Sequence, residues 1–132
     1  MGRLHEEAGA GLVSSVAGVL AFLAFLLFAV QILVHLFASS YVNAAAFDAA
    51  RLASGAGEVD SAEARAHGLA VLGDFADRVS DFSVVVTDER VTVRVQAASP
   101  ALLPATFGRV IGTDSIDRSV TLRRERTQCV GC

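Results

Sequence analysis

Two cysteines, Cys129 and Cys132, stand in a Cys-Val-Gly-Cys tail and are the first candidates for chemistry. A redox pair of the thioredoxin type needs a helix N-terminus that lowers the pKa of one thiol, and no helix is predicted to follow this pair. Two thiols alone supply only half of a four-ligand zinc site. In an oxidising compartment the pair is therefore predicted to form a disulfide, either local or to a partner.

The histidines and carboxylates form no constellation typical of catalysis or metal binding. His5 and His67 belong to different predicted elements, and none of the three histidines has a carboxylate or thiol at ligand spacing. Asp74, Asp77 and Asp81 resemble paired carboxylates, but they lie toward the polar face of a predicted helix end, where solvation is the ordinary state. Nucleophile elbow, phosphate-loop and zincin motifs are all missing. The sequence predicts a protein that is not an enzyme and that holds neither cofactor nor metal.

The charges of the chain argue against nucleic acid as a partner. Eleven basic residues, all of them Arg, and 14 acidic residues give a net charge of −3. The arginines are nowhere dense enough to bind a row of phosphates. The apolar fraction of 53% exceeds that of an ordinary soluble domain, and the excess lies in one block.

That block predicts a membrane helix. Between Glu7 and Asp48 there is no Asp, Glu, Lys or Arg, and residues 16–37 are interrupted by only two polar side chains of appreciable size. About 20 helical residues cross the hydrocarbon core of a bilayer, so this run is long enough. A cleavable secretory signal is the alternative, because Arg3 precedes the block, but its apolar core has only about 7–15 residues. We expect an uncleaved single-pass anchor in the cell membrane, with a cytoplasmic N-terminus and the remainder extracytoplasmic.

Two features of this helix are candidates for contact with lipid, water or another helix. Gln31 and His35 are four positions apart on one face near the outer end, where a partner helix, headgroups or water would satisfy them. Small residues also recur at four-residue spacing, which lets a second helix approach closely and form an oligomer. The alternative is that small residues are simply frequent in this chain and in membrane helices. The predicted helix-packing residues are Ser14, Ala17, Gly18 and Ala21.

Beyond the membrane run the sequence predicts a small α+β domain. Ala-rich sequence continues the first helix as far as Gly55, which breaks it. The predicted elements that follow are a helix over about 60–79, strands over 82–87, 90–96 and 115–124, and a short helical turn over 105–111. The three strands are expected to form an antiparallel sheet whose apolar face packs against the amphipathic helix.

Two stretches flank the hydrophobic run and carry a family resemblance. They are Glu7-Ala-Gly-Ala-Gly-Leu-Val13 before it and Asn43-Ala-Ala-Ala-Phe-Asp-Ala-Ala-Arg51 after it. Both resemble the TadE-like family of tight-adherence pilus proteins, and the second is the more specific. The resemblance implies a pilin-like head and cleavage by a prepilin peptidase after Gly9, which would make Ala10 the new N-terminus. Ser14 stands where such families often carry a Glu, a departure that favours a minor, initiating or anchoring role over that of a repeating filament subunit.

The resemblance implies a non-enzymatic minor pseudopilin or assembly factor of a tight-adherence, type IVc-like pilus or related secretion apparatus. Its implied partners are membrane lipid and other pilin-like or pilus-assembly proteins. The alternative is a single-pass, envelope-anchored binding module unrelated to pili. The predicted organisation is a cytoplasmic leader over 1–9, a transmembrane helix with an extracytoplasmic extension over 10–54, an α+β head over 55–128 and a Cys-containing tail over 129–132.

Overall fold

The computed structural model describes residues 4–55 and 59–124, with side-chain surroundings from residue 11 onward. In these ranges the chain forms three α-helices and one three-stranded antiparallel sheet. The elements are α1 Leu4–Ser54, α2 Ser61–Leu72, β1 Val79–Val86, β2 Arg90–Ala98, α3 Ala105–Val110 and β3 Ser115–Arg123. The predicted α+β fold is confirmed: a long apolar N-terminal helix is followed by a short helix and the sheet.

The sheet has the strand order β1-β2-β3, so that β2 lies in the centre. Val93 of β2 stands opposite Val84 of β1 and Val120 of β3. Along β2 the buried residues alternate with more exposed ones, as the period of two in the sequence predicts. One face of the sheet is therefore apolar, and it needs a cover.

The C-terminal half of α1 provides most of that cover. Its buried face consists mainly of alanines, whose short side chains allow the helix axis to lie close to the sheet. The buried residues that α1 contributes to this core are Ala38, Val42, Ala45, Ala46, Ala49, Ala50 and Ala53. They pack with Val91, Val93 and Val95 of β2, and the apolar burial they provide is the main source of stability for the head. Hereafter the head means α2, α3, the sheet and their connections.

The second helix is shorter than its apolar pattern predicts. The sequence predicts a helix to about residue 79, but α2 ends at Leu72 and a 3-10 helix, Gly73–Arg78, leads into β1. Gly73 has a φ of +51° and a ψ of −129°, a backbone conformation that glycine adopts easily and that interrupts the α-helix. As a result, the chain reaches the sheet early, and β1 begins at Val79 rather than near residue 82.

Gly68 marks the closest approach of α2 to the rest of the core. A Cβ atom at this position would overlap the ring tip of Phe82 and would lie 3.1 Å from the Cβ of Ala49. The Phe82 ring is buried, so it has little room to move aside. Arg65 also fixes α2 against β1, since its Nε donates a hydrogen bond to the carbonyl oxygen of Phe82 at 2.9 Å.

Replacing Gly68 by valine is expected to destabilise the head by about 1–3 kcal/mol, the usual range for overpacking a well-filled core. The measurement is urea unfolding in detergent, followed by circular dichroism. Gly18→Val is the matched control, because Gly18 is also helical but an added Cβ there meets nothing within 4 Å. Equal unfolding midpoints for the two variants would contradict the close approach at Gly68.

Candidate functional site: the junction between the exposed helix and the head

The N-terminal part of α1 is exposed on all sides. Every residue from Gly11 to Val30 is exposed, and none of them is ionisable. We call residues 11–30 the exposed run. Its length is about 30 Å at 1.5 Å per residue, which equals the thickness of a bilayer hydrocarbon core. Within the described residues, α1 is the one helix long and apolar enough to cross a membrane, with a mean hydropathy of 2.7 in its most apolar part.

The exposed run stops abruptly at Gln31, whose side chain is only 1% exposed. Its amide is paired at both ends by one loop of the head. Nε2 donates a hydrogen bond to the carbonyl oxygen of Pro100 at 3.2 Å, and Oε1 accepts one from the backbone N–H of Leu102 at 2.8 Å. The uncharged but strongly polar side chain is thus satisfied within the chain itself.

Two further polar residues continue this contact along the same helix face. One turn after Gln31, the Nδ1 atom of His35 lies 2.9 Å from the hydroxyl oxygen of Ser99. One turn later, the hydroxyl oxygen of Ser39 accepts hydrogen bonds from Nε and Nη2 of Arg118, the former at 2.9 Å. We call Gln31, His35 and Ser39 the polar ladder, whose members follow one another at intervals of about 6 Å along the helix.

The partners of the polar ladder fix which end of the head faces the exposed run. Arg118, which pairs with Val95 in the sheet, contacts the last residue of the ladder, and Ser99, just beyond the end of β2, contacts the middle one. Leu102, which follows in the chain, contacts Gln31 and so lies at the level of the first residue of the ladder. Residues 99–114, which include α3 and which we call the junction loop, therefore lie at the end of the head next to the exposed run.

The sequence predicts that Gln31 and His35 share one face of the helix, and both do face the junction loop, but the sequence does not identify these partners. A partner helix, headgroups and water were the expected ones, whereas the chain's own junction loop supplies the contacts. Ser39 and Arg118 were not predicted to meet. The only signal in the sequence is the spacing of 31, 35 and 39, which marks a polar stripe but not what covers it.

The predicted helix-packing residues all lie in the exposed run. Ser14, Ala17, Gly18 and Ala21 are exposed, and no other described part of the chain covers them. The nearby Ser15 hydroxyl donates to the carbonyl oxygen of Gly11 at 3.0 Å, which satisfies it within the helix. Packing of this stripe against another helix stays a prediction.

The structure does not describe the side chains of the remaining predicted sites. Gly9 and Ala10, the predicted processing site, precede residue 11, where the description of side chains begins. Cys129 and Cys132, the predicted disulfide, lie outside the described residues. Both predictions therefore rest on the sequence alone.

The acidic residues of the head are surface groups. Asp74, Asp77 and Asp81 are exposed, as predicted, and within the described residues no three His, Cys, Asp or Glu side chains are grouped to hold a metal ion. Asp117 pairs with Arg94 across β2 and β3, with Arg94 Nε 3.1 Å from Asp117 Oδ1. The hydrogen bond from Arg94 lowers the pKa of the Asp117 carboxyl and, reciprocally, raises the pKa of the guanidinium. This pair is a cross-strand contact of the sheet surface.

Comparisons with protein-family models, with curated proteins and with solved structures found no match to this chain.

Proposed function

We propose that this chain is a single-pass membrane protein and, in function, a non-enzymatic minor pseudopilin or assembly factor of a tight-adherence pilus or related secretion apparatus. The observation that carries the proposal is the abrupt change at Gln31, where about 30 Å of exposed apolar helix meets the head. A helix exposed on all sides over that length would aggregate in water, whereas lipid or neighbouring apolar helices would cover it.

The junction supports a mechanical role. One unbroken helix, α1, passes from the exposed run into the core of the head. The polar ladder fastens the head to this helix at three successive turns, so a displacement of the helix carries the head with it. In an assembly the exposed run would lie among pilin-like helices or in the bilayer, while the head presents its surface on the extracytoplasmic side.

The second stretch of the TadE-like resemblance, residues 43–51, lies in the part of α1 that packs into the core of the head. Its alanines at 45, 46, 49 and 50 are fully buried beneath the sheet. Asn43, Phe47 and Asp48 in the same stretch are exposed. This pattern is typical of a helix that packs closely against a sheet on one side and exposes its other side. Packing alone accounts for the alanines, so the pilus assignment needs its own test.

The test uses a tagged full-length chain expressed in its native host. We expect it to stay in the membrane fraction after carbonate washing, to be digested by protease only from the extracytoplasmic side, and to copurify with pilin-like or platform proteins after crosslinking. Mass spectrometry of the mature N-terminus decides processing, and a start at Ala10 is the expected result.

The other outcomes separate the alternatives. An intact N-terminus would overturn peptidase processing, and retention without any pilin-like partner would favour an envelope-anchored binding module. A soluble fragment that begins after the apolar run would overturn the anchor itself, because the run would then be a cleaved secretory signal.

A further inference from the structure

The junction loop carries large apolar side chains that the head leaves uncovered. Leu102 is 58% exposed, Phe107 59% and Val110 85%. On α3, Phe107 and Val110 are three positions apart and share one side of the helix. Gly108 lies on another side, where it packs against the backbone of Asp114. The loop thus buries Gly108 against its own last residue and leaves its large apolar side chains exposed.

These side chains lie at the same end of the head as the exposed run. The backbone of Leu102 is bound to Gln31, the residue at which that run ends. The loop closes where the N–H of Ser99 donates to the carbonyl oxygen of Asp114 at 3.0 Å, so α3 lies between these two points, beyond the end of the sheet. Leu102 therefore lies at the level of Gln31, and α3 follows it at the same end of the head.

Exposed apolar side chains continue past Gln31 on the free side of α1. Opposite the polar ladder, Leu33, Leu36 and Phe37 remain exposed one to two turns further along. We call the six exposed residues around the junction the apolar collar. Its members are Leu33, Leu36 and Phe37 on α1, and Leu102, Phe107 and Val110 on the junction loop.

The charged residues of the junction loop indicate which kind of molecule can cover the apolar collar. The ionisable side chains of the junction loop are Arg109 on α3 and Asp114, the last residue of the loop, directly before β3. The part of the loop that carries the collar residues, 99–113, has one cation and no acidic residue. Such a surface suits the interface of a bilayer, where acyl chains meet phosphate headgroups. Arginine can lay its stem along apolar surface and hold its charged end among those phosphates.

We propose that the junction loop is a second membrane contact, in which the apolar collar sinks into the lipid interface and seats the head directly on the bilayer. The proposal rests on the proposed membrane anchor and adds a lipid-binding surface to it. With both contacts made, the head cannot tilt freely about Gln31. The polar ladder then lies at the level of the lipid interface. There, its hydrogen bonds to the junction loop and to Arg118 replace hydrogen bonds to water, which lipid would displace.

Tryptophan fluorescence tests the proposal, because the chain contains no tryptophan of its own. The full-length chain is placed as single copies in nanodiscs of phosphatidylcholine and phosphatidylglycerol, with or without bromine on the acyl chains. Phe107→Trp reports on the collar and Phe22→Trp on the exposed run. Val85→Trp is the matched control, since Val85 is also an exposed apolar residue but lies near the hairpin end of the sheet, away from the junction loop.

We expect blue-shifted emission and loss of intensity with brominated lipid for Phe107→Trp and Phe22→Trp, and neither effect for Val85→Trp. Val110→Trp repeats the collar measurement should Phe107→Trp alter the circular dichroism of the head. Quenching at residue 22 without quenching at the collar would overturn the second contact and leave the anchor standing. A blue shift at the collar without bromine quenching would show that protein covers it, which also overturns lipid seating. No quenching at residue 22 would overturn both.

Discussion

Replacing Gln31 by leucine is expected to release the junction loop from α1 and to lower the free energy of unfolding by about 2–6 kcal/mol, since each of the two backbone groups left without a partner costs about 1–3 kcal/mol. The substitution leaves the N–H of Leu102 and the carbonyl oxygen of Pro100 without their partner. Urea unfolding in detergent measures the total effect. Hydrogen exchange measures the local one, and the Leu102 amide should exchange about tenfold faster for each 1.4 kcal/mol lost.

Gln96→Leu is the matched control for this experiment. It makes the same chemical change, but Gln96 is only partly buried and its side chain donates to the exposed carboxylate of Asp117, which water can reach. We expect a loss within about 0.5 kcal/mol of zero, as for most surface substitutions. If Gln31→Leu is no more harmful than Gln96→Leu, the amide of Gln31 does not hold the loop.

Replacing Gln31 by glutamate tests the two hydrogen bonds of the Gln31 amide separately. The carboxylate oxygens of Gln31→Glu can still accept from the N–H of Leu102, but nothing remains to donate to Pro100, and the acceptors of the two groups then face each other. Buried charge adds a further penalty. We therefore expect Gln31→Glu to be at least as destabilising as Gln31→Leu at neutral pH, with partial recovery in acid, where the protonated carboxyl regains a donor.

The elements set by local pattern could be predicted from the sequence. Alternating valines at 91, 93 and 95 predict a half-buried strand, and they form the buried face of β2. Gly55 predicts the end of the first helix, and α1 ends at Ser54. Periodicity in the sequence indicates which face of an element is apolar. For β2 and for the end of α1, no contact with a distant part of the chain overrides the local preference.

The end of α2 could not be predicted in the same way. The apolar spacing continues to Val79, and Leu72, Phe75 and Ala76 do contribute to the core. What the pattern cannot show is that Gly73 adopts a positive φ and that the next residues form a tighter helix. The apolar residues are spaced three or four apart, and this spacing does not distinguish an α-helix from a 3-10 helix over so short a segment.

The candidate site was predicted in part, for a related reason. A polar stripe inside an apolar run is visible as the spacing of Gln31 and His35. Its cover, however, comes from residues more than 60 positions away in a loop without regular pattern, and no local rule connects such distant segments. The contact between Ser39 and Arg118 is of the same kind, because it depends on how the sheet lies against α1.

Placing two arginines in the middle of the exposed run is expected to have the largest effect on membrane retention. Twelve residues of the run are Leu, Val or Phe. Each contributes about −0.3 to −0.6 kcal/mol to insertion, or about −4 to −7 kcal/mol together, whereas two central arginines add about +5 to +7 kcal/mol. The double variant Leu20→Arg with Leu23→Arg should therefore lose most of its favourable insertion energy and move from the carbonate-resistant membrane fraction to the soluble or aggregated fraction.

Leu33→Arg with Leu36→Arg is the matched control for the anchor, because it places the same two charges at the same spacing on the same helix, also at exposed positions. It alters two residues of the apolar collar but leaves the exposed run, which holds the chain in the membrane, unchanged. There the proposed bilayer interface lies within reach of the long side chains, which can extend to the headgroups. We expect this variant to stay in the membrane fraction. Neither pair touches the buried core, so the head should unfold as in the unmodified chain. If both double variants stay in the membrane equally well, the hydrocarbon core does not lie over residues 11–30, and the boundary assigned to Gln31 is wrong.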